Sequence, residues 1–159
     1  MDTYTEATVV LVDDEEMVLT SLNAYLTLET DYNVESFTDV DEAISFVGEN
    51  EVDVVISDYL MPKMNGIQLL AKAKELKPET SRILLTGHAD KQSAIEAINQ
   101  VGLFQYIEKP WDNAALLLVI RNGSERTQLL RSLRNKILQL DEAHSNLKTA
   151  QSELIRAFL

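Results

Sequence analysis

The sequence predicts an α/β fold, a doubly wound five-stranded parallel sheet of order 2-1-3-4-5 with a long C-terminal helix. Three observations predict it. Short apolar runs alternate with helix-period segments five times over. The runs differ in texture, so central strands can be told from edges. After residue 112 there is no proline, Gly123 is the only glycine, and apolar residues settle into a 3-4 spacing.

Taken in order, the first run is "TVVLV" at 8–12, nearly continuous Val and Leu as expected of a strand covered on both faces. Val18, Leu22, Tyr25 and Leu26 then share one helix face. The second run, "NVESF" at 33–37, alternates and reads as an edge. Asp39 stands where the N-cap of the second helix is expected. The third run, "VDVVI" at 52–56, is central in texture and is followed by the face of Leu69, Ala73 and Leu76. "RILLT" at 82–86 is also central; Asp90 is the next expected N-cap, ahead of the face of Ala94, Ile98 and Val101. The fifth run, "LFQYI" at 103–107, mixes Gln105 with aromatics and reads as the second edge. Asp112 is placed to cap the last helix. Edges at two and five give the order 2-1-3-4-5, in which ligands bind at the carboxyl ends of the strands where chain direction reverses.

Composition narrows the function classes. The 159 residues carry a formal charge of -12 and no cysteine, so there is no disulfide, thiolate metal site or thiol nucleophile. Residues 121–159 hold 7 Lys and Arg against 4 Asp and Glu, a net +3; residues 1–120 hold 7 against 22, a net -15. So acidic a body repels nucleic acid phosphates, and no direct nucleic acid partner is expected. No segment has the length and apolarity of a membrane span, and "MDTYTEA" lacks the basic and apolar regions of a signal peptide. A cytoplasmic protein without membrane attachment is the expectation.

The strand ends carry the chemistry. Asp13 and Asp14 follow the first strand, Asp58 the third (in "ISDYLMPKMNG"), Thr86 ends the fourth (in "LLTGHAD"), and Lys109–Pro110 follow the fifth (in "YIEKPW"). Singly, each has a bland reading: an Asp as a cap, a Lys as a solvated charge. Together they put three carboxylates, a hydroxyl and an ammonium at one crevice. Clustered carboxylates without His or Cys form a hard oxygen site suited to Mg²⁺. Glu15 and Glu16 are expected to begin the first helix, whose positive dipole end favours carboxylates.

This set resembles the response-regulator receiver domain of two-component signalling, a flavodoxin-like fold. The resemblance covers residues 1–122. It rests on Asp13–Asp14, on Pro62 and Gly66 four and eight residues after Asp58, on Thr86 followed by Gly87, on Tyr106, and on Lys109–Pro110. It implies that Asp58 takes a phosphoryl group from a sensor histidine kinase or a histidine phosphotransfer protein. Asp14 and Asp58 would ligate Mg²⁺ directly, Asp13 through water, with the backbone carbonyl of Leu60 added. Lys109 and the Thr86 hydroxyl would contact the phosphoryl group, and the Lys109–Pro110 bond would be cis; the bland reading of Pro110 is a helix start. Thr86 and Tyr106 would form the output switch, reshaping the face of helix four, strand five and helix five; Tyr106 also reads as an ordinary edge aromatic. Leu60 and His88 would tune the lifetime of the phosphorylated state, His88 reading equally as a loop cap. Such a chain assists its own phosphorylation and dephosphorylation, and no separate substrate turnover is expected. A phosphorylation-free scaffold has no need of this full set. A flavin binder lacks support, since glycine-rich phosphate loops are missing.

Residues 123–159 form the expected helical extension. Leu130, Leu133, Ile137, Leu140, Leu147 and Leu154, then Phe158, fall on heptad a and d positions, with His144 and Gln151 at two a positions. About four heptads of this kind predict a dimeric coiled coil. Lys136 at g and Asp141 at the following e would attract across a parallel homodimer. Folding back on the chain's own domain is the weaker alternative, because a single helix of 48 residues from Asp112 to Leu159 reaches roughly 70 Å. Gly123–Ser124 reads either as a hinge or as a tolerated weak spot. "ELIRAFL" stops in mid-heptad, so continuation into an output domain (an HD-GYP phosphodiesterase, cyclase or kinase) is expected.

Overall fold

The computed structural model describes residues 7–158, apart from the His88 side chain. Five parallel strands, β1 (Thr8–Val12), β2 (Asn33–Phe37), β3 (Val54–Asp58), β4 (Ser81–Thr86) and β5 (Gln105–Glu108), form one sheet of order β2-β1-β3-β4-β5. Between them run α1 (Glu16–Glu29), α2 (Val40–Glu49), α3 (Gly66–Leu76) and α4 (Lys91–Val101). The last helix, α5 (Asn113–Phe158), follows β5. The predicted order and both edges are found. β3 and β5 each start two residues later than the apolar runs, at Val54 and Gln105, because Val52 and Leu103 are buried without joining the ladder.

Strand alternation sorts the core into two layers. Val9, Leu11, Val54, Ile56, Ile83 and Leu85 face α1 and α5, where Leu19, Leu22, Leu26, Leu116 and Ile120 meet them. Val10, Val12, Val55 and Leu84 face α2, α3 and α4 through Val40, Val47, Leu69, Leu70 and Ala97, among others. β1, β3 and β4 are covered on both sides, which is why their sequences are almost unbroken Val, Ile and Leu.

The helix ends follow local chemistry. Glu15 is the N-cap of α1, and its N–H is held by Asp13 Oδ1 at 2.9 Å. Asp39 caps α2 as expected, its side chain accepting from the Asp41 N–H at 2.9 Å. Asn65 and Gln68 close a reciprocal capping box on α3. Asp90 stands at the N-cap position of α4, as expected. It ends a short 3-10 turn, His88–Asp90, and its side chain makes no capping bond to α4. Leu76, at the end of α3, is 45% exposed. The N–H of Leu116 bonds Asp112 O at 2.9 Å, opening α5 where the sequence placed its cap.

Contacts divide the chain after Thr127. Residues 123–127 pack on the first unit. Ser81 Oγ donates to Gly123 O at 2.7 Å. Thr127 Oγ1 donates to Asp53 O at 2.6 Å and accepts the Ser81 N–H at 3.0 Å. A Cβ on Gly123 would stand 3.3 Å from Ser81 Cβ and 3.4 Å from the Phe104 ring. Gly123 is thus a buried close-packing position inside a continuous helix rather than a hinge. The second unit is the rest of α5; from residue 132 to 158 every side chain is exposed.

Candidate functional site

The site is built from four strand ends. β1 runs out at Val12, and the Asp13 N–H bonds Phe37 O at 3.2 Å, which holds Asp13 at the rim of the sheet. Its carboxylate is buried, one oxygen turned into the start of α1, the other without a hydrogen-bond partner. Asp14 beside it is exposed. Asp58 is the last residue of β3, paired with Leu85 of β4 and buried. β4 ends at Thr86, whose hydroxyl is buried with no hydrogen-bond partner. The Lys109 N–H, just past β5, bonds Thr86 O at 2.7 Å, and the Lys109–Pro110 peptide bond is cis.

These positions bring the predicted groups together. Carboxylate oxygens of Asp13, Asp14 and Asp58 all lie within 4.8 Å of one another. Lys109 Nζ is 2.8 Å from Asp58 Oδ1 and 3.7 Å from Asp13 Oδ2. One ammonium against three carboxylates leaves the crevice two charges negative. Burial pushes the Asp13 carboxyl up to about 6; the Glu15 N–H and Lys109 oppose the rise, while Asp58 and Asp14 add to it. For Lys109, burial acts to lower the pKa, but the bond to Asp58 and the charges of Asp58, Asp13 and Glu15 outweigh it and hold the ammonium above its usual range. Lys109 is therefore a fixed cation at neutral pH.

Gly66 explains the spacing of the "DYLMPKMNG" segment. Its N–H bonds Tyr59 O at 2.8 Å, and a Cβ there would collide with the Asp58 carbonyl oxygen. Only glycine lets α3 begin against the backbone that carries Asp58. Lys63, in the same loop, has φ 67, an uncommon conformation for a residue with a Cβ, and pairs with Asp41 at 3.4 Å.

Tyr106 is half-buried on β5, beside Leu84, and packs against the layer under α2, α3 and α4. The Leu60 side chain is 63% exposed. The predicted tuning role of His88 falls on a side chain outside the described residues. In the tail, Leu133, Ile137, Leu140, Leu147 and Leu154 are 50–69% exposed, and Leu130 is half-buried. Sequence reading missed the contacts of Ser81 and Thr127, since hydroxyls 46 residues apart leave no local signal.

Residues 9–121 match the response regulator receiver domain family. The chain belongs to that family. Relatives of this receiver include the hydrogenase transcriptional regulatory protein HoxA of Cupriavidus necator, 30% identical over 93% of this chain and 30% of the relative. The transcriptional regulatory protein FixJ of Rhizobium meliloti is 34% identical over 76% of this chain and 58% of the relative. The chain thus spans between about a third and three-fifths of the length of these relatives. Among solved structures, the signal receiver domain of an HD domain-containing protein from Pseudomonas fluorescens Pf-5 matches with TM-score 0.77. It is 35% identical, over 83% of this chain and 97% of that one. An adenylate cyclase structure from Rhodopirellula baltica matches with TM-score 0.78 and 26% identity, over 85% of this chain and 98% of that one. The receiver family is that of two-component response regulators. Among the described residues no helix is long and apolar enough to cross a membrane.

Proposed function

We propose that this receiver accepts a phosphoryl group on Asp58 from a histidine kinase or histidine phosphotransfer protein. The observation that carries the reading is the Asp58 carboxylate, buried at a strand end and bonded to Lys109 Nζ at 2.8 Å. Asp58 supplies the nucleophilic oxygen: it forms the new O–P bond as the donor's imidazole nitrogen leaves. Lys109, held charged by its carboxylate neighbours, shifts to the incoming phosphoryl oxygens and offsets their charge. Thr86 Oγ1, buried and unpartnered, is free to donate a hydrogen bond to the same group. The paired strands β3 and β4 hold Asp58 and Thr86 in place before the donor arrives, so reorganisation is confined largely to the Lys109 side chain.

The residues fit Mg²⁺. Three carboxylates supply hard oxygen ligands, and the orphaned buried oxygen of Asp13 lacks a partner that a metal-bound water would provide. Asp14 and Asp58 would hold the ion directly, with the Leu60 carbonyl, and Asp13 through water. When bound, Mg²⁺ neutralises charge on the phosphoryl oxygens and favours in-line attack.

Thr86 and Tyr106 are assigned as the switch, and Leu60 and His88 as modulators of lifetime. Residues 1–122 would be the signalling unit and 123–159 a dimerising extension toward an output domain. Incubation with a small-molecule phosphodonor tests the central step. Wild type gains one phosphoryl group by intact mass only when Mg²⁺ is present, and Asp58→Asn gains none. Equal uptake by folded Asp58→Asn defeats the proposal.

A further inference from the structure

We propose that the tail pairs with a second copy of this chain in parallel and in register, and that His144 and Gln151 set that register. The inference rests on the homodimer reading above and makes it specific.

The exposed part of α5 has a seam. Its a positions are Leu130, Ile137, His144, Gln151 and Phe158. Its d positions are Leu133, Leu140, Leu147 and Leu154. Six of the apolar members are exposed by half or more. Together they put on the order of 600 Å² of apolar surface per copy into water, a large share of the roughly 800 Å² that each partner buries in a standard interface. A single stripe of that size on one helix asks for a partner with the same stripe.

An identical chain satisfies this stripe in one arrangement better than in any other. In a parallel, unstaggered pair each a residue meets its own copy, so His144 faces His144 and Gln151 faces Gln151 across the axis, polar against polar. In an antiparallel pair a residues pack among d residues, and both polar side chains would be enclosed by leucine. A slip of one heptad sets Ile137 against His144 and Gln151 against Phe158, two mismatched layers. Each leaves a polar group without a partner at an apolar seam.

The flanks agree. In the parallel register each g residue lies beside the following e residue of the other helix. This gives Lys136 with Asp141, Ala143 with Lys148, and Ala150 with Ile155. One pair attracts, one is apolar, and none sets like charges together. Three g positions, 143, 150 and 157, are alanine, which lets the helices approach beside the two polar layers.

The chain has no cysteine, so single cysteines report the geometry without interference. Leu140→Cys and Leu154→Cys lie at d positions two heptads apart; Glu142→Cys, on the outer face, is the control. The full chain is incubated in a glutathione redox buffer, with mass measured without reductant and oligomeric state followed by sedimentation equilibrium. The proposal expects dimers, disulfide linkage at both seam positions, and about tenfold less at Glu142→Cys, where sulfurs cannot reach bonding distance. Two d positions so far apart cannot both lie at an antiparallel dyad. Dimers that link at only one position, or at neither, overturn the parallel register while leaving the homodimer standing. Monomers overturn the homodimer itself. In a second arm, His144→Ile with Gln151→Ile is combined with each seam cysteine. If the polar layers set the register, linkage falls several-fold as slipped pairs become populated. Undiminished linkage overturns their role.

Discussion

Asp13 shows how one side chain serves two purposes that conflict without a cation. Its inner oxygen starts α1 through the Glu15 N–H, and its outer oxygen is buried without a hydrogen bond beside Asp58. Because the folded state holds the Asp13 proton up to about pH 6, against 3.8 for an ordinary aspartate, the metal-free fold binds it more tightly than the unfolded chain does. Stability from this group is therefore fully present below about pH 3.8 and falls as pH rises toward 6. Asp13→Asn keeps the bond to Glu15 and removes the charge. It is expected to stabilise the metal-free protein at pH 7.5 by about 1 kcal/mol or more, with little effect at pH 4. Paired chemical denaturations at the two pH values check this; destabilisation at pH 7.5 contradicts the assigned strain. Gly66 belongs to the same scale. Gly66→Ala forces a methyl group into the Asp58 backbone and is expected to cost about 3 kcal/mol or more, measurable as a fall in denaturation midpoint.

At the scale of elements, the sheet was legible and its fastenings were not. Nearly unbroken Val, Ile and Leu told β1, β3 and β4 from the alternating β2, because coverage on both faces reduces the need for polar positions. Their ends were less visible, since Val52 and Leu103 are buried outside the ladder and an apolar run does not say which of its residues pair. The carboxylate cluster was readable because strand order alone brings the ends of β1 and β3 together. The anchoring of α5 was not. Gly123, Ser81 and Thr127 act through contacts spanning 42 to 74 residues, and a glycine in a helix signals weakness until its neighbour is seen. Thr127→Val retains the shape and removes the hydroxyl bonds, those to Asp53 O and from the Ser81 N–H among them. It is expected to cost about 1–3 kcal/mol, since Ser81 and Asp53 lose a buried partner. A cost near zero in equilibrium unfolding would show that these bonds do not fasten the helix.

For the whole molecule, uneven charge and an uneven surface divide the labour. The acidic body holds the carboxylate crevice, and the mildly basic tail holds the apolar seam. A divalent cation that binds the folded body and not the unfolded chain must stabilise it, by about 2.7 kcal/mol at a hundred times its dissociation constant. Mg²⁺ is accordingly expected to raise the melting temperature of wild type at pH 7.5, and to do so far less in Asp14→Asn. An equal rise in both would place the ion elsewhere. The event proposed for this site is transfer of a phosphoryl group to Asp58. The most direct test reduces the Mg²⁺- and donor-treated protein with borohydride, which converts an aspartyl phosphate to homoserine, and maps the peptides by mass. The account predicts homoserine at position 58 and at no other aspartate. Homoserine at position 13 or 14, or a phosphoryl group that survives on another side chain with position 58 unchanged, would contradict it.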